Sequence, residues 1–392
     1  MTLKRIGFLL PADERMRTMT DHANEDAVIV VGAGIAGLAL TRELMQRSVE
    51  VVALERYPSL PDAGLAINLP GNAIAALRKL GIGDVRRHGV PVERREYRSS
   101  TGRLLFEVDE ARFWGDDNKP QCMRRSDLAS MLSEGIPEGV IRRQCAVASV
   151  STSERSVAVG TTDGDNLTGK YLVGADGVHS IVRKMCFPGI ETSVSQLGQA
   201  SWRFLAPNPG VDCWTVWMGE HALVLLIPVG PNEIYCWATI PNDEGQSSDP
   251  ANLLRHIKVF PREPRDAVEA ALASHAALLR SPLTEVRMSS WSRGRAILIG
   301  DAAHATAPVW AQGGALALED GLVLAELLAT SGDALNVGDD FTRLRMNRIH
   351  HVKTMTDRAS RISRLPISLR NILMRYAGRL SYINTYKPLR SF

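Results

Sequence analysis

The stretch Gly300-Asp301-Ala302-Ala303-His304, continued by Pro308, Gln312-Gly313-Gly314 and Glu319-Asp320, places an acid and small residues at the start of a helix-like run. An Asp there can accept hydrogen bonds from sugar hydroxyls, while glycines leave the free N–H groups of a helix N-terminus open to an anion. A second constellation lies near the other end. An apolar run over 27–31 enters Gly32-Ala33-Gly34-Ile35-Ala36-Gly37, and a further strand-like run ends at the acid Glu55. Gly32 permits a tight turn, Gly34 lets a pyrophosphate approach the amides of Ile35 and Ala36, and Gly37 lets helix and strand pack closely. Glu55 would accept from a ribose and repel a 2′-phosphate, which fits FAD or NAD. One dinucleotide is thus expected to be gripped by both ends of the chain.

The elements that must position these residues follow from periodicity and turn residues. Strand 27–31, helix 35–47 and strand 49–54 form a βαβ unit, and a second helix is predicted over 72–80, stopping at Gly81. A helix over 126–132 starts with Ser126 in an N-cap position. Residues 157–173 read as a hairpin turning at Asp163-Gly164-Asp165, whose last strand delivers the chain to Gly174-Ala175-Asp176-Gly177. Between 195 and 240 the pattern becomes β-rich and aromatic, as in an antiparallel sheet of a second domain. Residues 296–299 return to the first domain, and a helix over 314–330 closes it.

A chain of 392 residues is long enough for two packed domains. Its longest apolar runs are strand-sized, so no transmembrane helix is predicted. Residues 1–25 lack a secretory h-region and read as a disordered extension, with Met19 as an alternative start. Five widely spaced cysteines without CxxC pairs point to a reduced, cytoplasmic setting and to neither a disulfide framework nor a metal site. From Phe341 to Phe392, ten Arg and two Lys face the single acid Asp357, a net +11 in a protein of net +3. Apolar positions at Leu369, Ile372, Leu373, Tyr376 and Leu380 make this tail an amphipathic helix, expected to pack on the body and show a solvated Arg face. A membrane or partner surface is the alternative, and nucleic-acid binding is not expected.

Three motifs in order, Gly32-x-Gly34-x-x-Gly37, Gly174-Ala175-Asp176-Gly177-Val178-His179-Ser180 with Arg183, and Gly300-Asp301-Ala302-Ala303-His304 with Pro308, resemble the class A flavoprotein monooxygenases, the para-hydroxybenzoate hydroxylase family. The resemblance spans Val28 to about Leu328. It implies an α/β fold: a Rossmann-like FAD-binding domain of the glutathione-reductase type, an inserted antiparallel-sheet substrate domain and a C-terminal helical segment. The expected division is 26–75, 107–185 and 286–335 for the FAD domain, 76–106 and 186–285 for the substrate domain, and 336–392 for the basic tail. It further implies tightly bound, non-covalent FAD, NADH or NADPH as a transient reductant without its own Rossmann domain, and O₂ adding to give a flavin C4a-hydroperoxide.

By the same resemblance, Asp301 binds the ribityl chain, Asp176 lies near the pyrophosphate, Arg125 contacts the flavin side, Arg56 flanks the adenine, and Pro308 lies over the flavin. Gly313 and Gly314 would let the helix start approach the ring and favour the reduced flavin anion. His304 is a structural part of its motif. Ala311 stands where glycine is usual and Ala315 where asparagine is frequent, so a hydrogen bond to the ring is in question. The loop Gly64-Leu65-Ala66-Ile67 matches only in part.

Substrate recognition is expected from the inserted sheet, with Trp202, Arg203, Trp217, Leu225 and Trp237 as candidates. Arg203 would bind a phenolate or acidic heterocycle, or else form a surface ion pair. The function implied is hydroxylation of a planar aromatic or N-heteroaromatic small molecule. The alternatives are an epoxidase or quinone-pathway hydroxylase acting on a lipophilic substrate, and a non-catalytic flavin-binding protein.

Overall fold

A computed structural model describes residues 25–59, 65–83, 85–190, 193–194, 200–220, 222–240, 250–274, 276–331 and 335–391. The expected N-terminal extension, apart from Glu25, lies outside them, as does Gly64. A six-stranded sheet runs in the order Ser292–Arg293, Ala296–Leu298, Tyr171–Gly174, Val28–Val31, Val51–Glu55, Ile141–Arg143. All its pairs are parallel except the edge pair Ser292–Arg293 with Ala296–Leu298. The central strand Val28–Val31 is buried throughout, as the continuous β-branched run of a covered parallel strand requires. Helix Ile35–Gln46 packs against helix Gly313–Thr330 so closely that a Cβ on Gly321 would lie 2.8 Å from the Leu40 amide.

A seven-stranded sheet forms the second body, in the order Leu279–Pro282, Ala200–Pro207, Glu233–Ile240, Leu223–Pro228, Trp214–Met218, Arg94–Ser99, Leu104–Asp109. Its pairs are antiparallel except Trp214–Met218 beside Arg94–Ser99. Helices Pro250–Ile257 and Arg262–Ala273 pack on one face, burying Trp202, Phe204, Trp217 and Leu226 against Leu253, Ile257 and Val268. The opposite face looks toward the nucleotide motifs.

Two expectations change. Much of 76–93, expected with the substrate sheet, packs elsewhere: helix Gly71–Lys79 buries Ala73, Ala76 and Leu77 against Leu38, Leu318 and Leu322 of the first body. The substrate sheet instead takes 94–109, because a second strand at Leu104–Asp109 extends beyond residue 106. Ser126 does not cap its helix, which runs Arg125–Ser133 with Arg124 at the cap and no side-chain cap bond.

The tail forms two long helices, Val337–Ser363 and Ile367–Tyr386. It does not simply show a solvated Arg face. Arg345 is buried and Arg348 nearly so, both in ion pairs with Glu319. The stripe from Leu369 to Leu380, expected against the body, faces outward, while the opposite side of that helix packs on Phe106 at Gly378, where a Cβ would overlap the ring.

Candidate functional site

The two ends of the chain do converge. Gly32 adopts φ +101°, and a Cβ there would sit 2.6 Å from the Ala175 carbonyl oxygen, so the turn admits only glycine without rearrangement. A Cβ on Gly37 would overlap the Gly32 carbonyl. Gly34 is the opposite case: a Cβ would meet nothing within 4 Å, and the residue borders an open cavity. Gly300, at φ +57°, brings the second motif against the first, with its Cβ position 2.9 Å from the Ala36 Cβ. Glu55 is buried, and its carboxylate accepts from the Ala33 amide (2.9 Å) and the Tyr57 amide (3.0 Å).

The cavity has a volume of about 620 Å³. Gly34, Ile35, Ala36, Arg125, Asp301, Pro308, Gly313 and Gly314 all line it. Both helices that begin there, at Ile35 and at Gly313, lack a side-chain N-cap bond, leaving their first amides for a ligand. These are the features an extended dinucleotide needs: a gap beside Gly34, two open helix N-termini carrying positive dipole character, and Asp301 beside Gly313 with its Oδ1 3.9 Å from that glycine's Cβ position. FAD fits this cradle. Arg56 lies apart from it, exposed, with its guanidinium 4.8 Å from the Tyr57 ring centre.

A polar network behind the cavity holds the second motif in place. Asp320 Oδ2 accepts from the Gly300 amide (2.9 Å) and contacts His304 Nε2 (2.6 Å), and Oδ1 accepts from Arg345 Nε (2.8 Å). Burial opposes the charge on Asp320, but His304, Arg345 and the Gly300 amide outweigh it, so its pKa falls below the usual carboxylate value. Glu319 accepts from Arg345, from Arg348 and from Asn72 Nδ2 (2.9 Å). Asn72 also donates to the Gln312 side chain (3.0 Å), which turns Gln312 away from capping the helix it precedes. Asn72, Arg345 and Arg348 were not singled out in the sequence; the only signal was that Glu319 and Asp320, adjacent in a buried helix, had to find cations.

The Asp-Gly motif works differently from expectation. Asp176 does not line the cavity; its Oδ2 accepts from the Ile181 and Val182 amides (2.6 and 3.2 Å) at the start of helix Ile181–Cys186. Burial raises its pKa despite these bonds and one to Ser180, and its Oδ1 has no partner. Its neighbours Ala175, Gly177, Val178 and His179 reach the cavity instead. Arg183 ties this motif to the next, donating to the Val178 and Ala302 carbonyls (2.6 and 2.7 Å).

Across the cavity, the seven-stranded sheet presents a row set by register: Arg203 pairs with Trp237, Trp237 with Leu225, Leu225 with Val216, and Val216 with Tyr97. All five line the cavity. Trp217 does not. It pairs with Val224 and belongs to the opposite face with Trp202, because strand side chains alternate and Leu225 lies opposite Val216. Tyr97, Trp214, Tyr235 and Trp310 are aromatic lining residues that the sequence did not single out. Arg203 donates to Ser281 Oγ, while its Nε and the Trp237 Nε1 are buried without a protein partner. Burial pushes the Tyr97 and Tyr235 phenols well up, so both stay protonated donors.

Pro308–Trp310 form a short 3₁₀ turn over the cavity, held by Tyr386 of the terminal helix, which donates to the Trp310 carbonyl (2.7 Å). Ala311 follows in the left-handed region at φ +52°, which explains why glycine suits that position. Ala315 is fully buried among Leu69, Leu128 and Leu318, away from the cavity.

A doubly bodied fold with a glycine-built dinucleotide cradle facing an aromatic sheet defines a flavin-dependent oxidoreductase. The family model described as an FAD binding domain matches residues 25–336. The chain is 31% identical over 374 residues to a 2-heptyl-3-hydroxy-4(1H)-quinolone synthase of Pseudomonas aeruginosa, covering 90% of this chain and 95% of that protein. It is 27% identical to an FAD-dependent urate hydroxylase of Klebsiella pneumoniae, covering 82% and 86%. In fold it is similar to the crystal structure of Klebsiella pneumoniae HpxO complexed with FAD and uric acid, at TM-score 0.82, 23% identity and 94% and 98% coverage. The chain belongs to the FAD-dependent aromatic monooxygenases: it is an oxidoreductase that uses FAD, with NAD(P)H as reductant. Among the described residues no helix is long and apolar enough to cross a membrane.

Proposed function

We propose that the protein hydroxylates a planar N-heteroaromatic ring bearing an apolar substituent, seated between the flavin end of the cradle and the row Arg203–Trp237–Leu225. The observation that carries this reading is the make-up of that sheet face: one cation with an unused N–H, among Trp237, Leu225, Val216, Trp214 and Tyr97. An acidic ring oxygen would accept from Arg203 Nε, and an alkyl chain would lie along the apolar remainder. The similarity to a protein named for a heptyl-substituted quinolone supports the same class.

Bound FAD would supply the redox and oxygen chemistry, drawing on NAD(P)H and O₂. The chain's own residues do the placing. The amides opening the helices at Ile35 and Gly313 would receive the pyrophosphate and the electron-rich edge of the flavin, Glu55 and Asp301 its sugar hydroxyls, and Arg125 its flank. Pro308 and Trp310 would exclude water from the oxygen-transfer space. The neutral Tyr97 and Tyr235 would hold their protons and donate to substrate rather than act as bases.

Anaerobic mixing of the FAD-loaded protein with NADH or NADPH, across phenols, purines and alkyl-4-quinolones, tests the reading through flavin absorbance. Alkyl-substituted heteroaromatics are expected to accelerate reduction about tenfold or more over the bare rings. Acceleration by small polar phenols alone would contradict it.

A further inference from the structure

The terminal helix Ile367–Tyr386 has two different faces. The inner one is firmly attached: Gly378 abuts Phe106, Tyr382 donates to Glu110 Oε2 (2.7 Å), and Tyr386 holds the Pro308 turn. The outer one carries Leu369, Ile372, Leu373, Tyr376 and Leu380, which are 45%, 57%, 39%, 81% and 60% exposed. Their spacing of i, i+3, i+4, i+7 and i+11 makes a single continuous stripe. Exposed Arg375 and Arg379 run along one edge of it.

Charge decides what such a stripe can meet. From Arg358 onward the sequence has eight cations and no acid. Arg370 is turned inward to the Gly219 carbonyl, while Arg358, Arg361, Arg364, Arg375, Arg379, Lys387 and Arg390 are exposed. A second copy laid on this stripe would bring two cationic surfaces together. An anionic lipid surface satisfies both features at once, taking the apolar side chains into the headgroup boundary and the guanidinium groups onto phosphates.

We propose that the outer face of this helix docks in the plane of an anionic membrane surface. The helix lies on the bilayer and does not cross it. Its other side, through Arg370, Met374 and Ser381, is a wall of the cavity, as are Ala359 and Ile362 of the preceding helix. Docking therefore places one wall of the cavity next to lipid, and a lipophilic substrate could enter from that side. This entry route rests on the proposed function; the docking does not.

The test is co-sedimentation of the FAD-loaded full chain with vesicles of phosphatidylcholine alone or mixed with phosphatidylglycerol. Binding is expected only to the mixed vesicles and should weaken as salt rises. Ile372→Ser with Leu380→Ser should abolish it with the flavin spectrum unchanged, and Arg375→Gln with Arg379→Gln should weaken it about tenfold or more. Should the double serine variant lose flavin, Tyr376→Cys bearing an environment-sensitive dye serves instead, and its emission should shift to the blue on mixed vesicles. Equal binding to both vesicle types, binding to neither, or a dimer dissolved by the serine substitutions would overturn the proposal.

Discussion

The cofactor cradle and the substrate sheet face each other across one cavity, yet they are built by different means. The cradle acts through backbone: Gly32, Gly34, Gly37 and Gly300 set distances, and two uncapped helix starts present amides. The sheet acts through side chains, drawn from alternate residues of five adjacent strands. At Gly32, Gly37 and Gly300 the backbone site has no room for an added atom, whereas a side-chain face can be re-specified residue by residue. On the function proposed above, the difference separates holding a constant cofactor from selecting a particular substrate.

The largest effect of a single substitution is expected behind the cradle. Arg345→Met leaves the buried Glu319 and Asp320 short of a partner and should cost about 3–5 kcal/mol, read by thermal unfolding. Acid acts on the same place. Because the folded pKa of Asp320 is lowered, its stabilisation is present above the ordinary Asp range and is lost as pH falls through the lowered value. Flavin release is therefore expected below about pH 4, with a shallower acid limb in Asp320→Asn.

Next come paired substitutions that contrast filled with open space. Gly37→Ala collides with the Gly32 carbonyl and should destabilise the fold by roughly 3 kcal/mol or more, whereas Gly34→Ala should fold normally and lose FAD affinity by about tenfold or more. On the sheet, Trp217→Ala should lower stability by about 3–5 kcal/mol, its site being core. Trp237→Ala should cost less stability and more catalytic efficiency, with kcat/KM falling through a raised KM. Equal behaviour of the two tryptophans would contradict the assigned faces.

The smallest effects lie at single polar or strained positions. Arg203→Gln is expected to raise KM roughly tenfold to a hundredfold for acidic ring substrates while sparing neutral ones. Ala311→Gly removes left-handed strain and should add up to about 1 kcal/mol of stability, with an unchanged flavin spectrum.

What could be read from sequence follows the same division. The cradle was legible because Gly32, Gly37 and Gly300 sit where only glycine fits, and Gly34 where a ligand needs the space, and local spacing carries those requirements. The sheet was legible as a sheet but not in its facing: Trp217 was assigned to the cavity although the choice of Leu225 already implied Val216, one register step away. Asp176 kept its motif position yet serves as a helix cap. Arg345 and Arg348 counted as surface charge because their partners lie some 25 to 29 residues upstream in another helix. The terminal helix showed its apolar stripe plainly, but a stripe does not say which way it points. Gly378 and Tyr382, on the other side, determine that.

On the function proposed above, this cradle and this sheet together place one oxygen atom on a bound aromatic ring. Turnover under ¹⁸O₂ with NAD(P)H and a substrate that accelerates flavin reduction measures it most directly. A hydroxylated product carrying a single ¹⁸O, formed in proportion to NAD(P)H consumed, is expected. Label found only in hydrogen peroxide and water, with the substrate recovered unchanged, would contradict it.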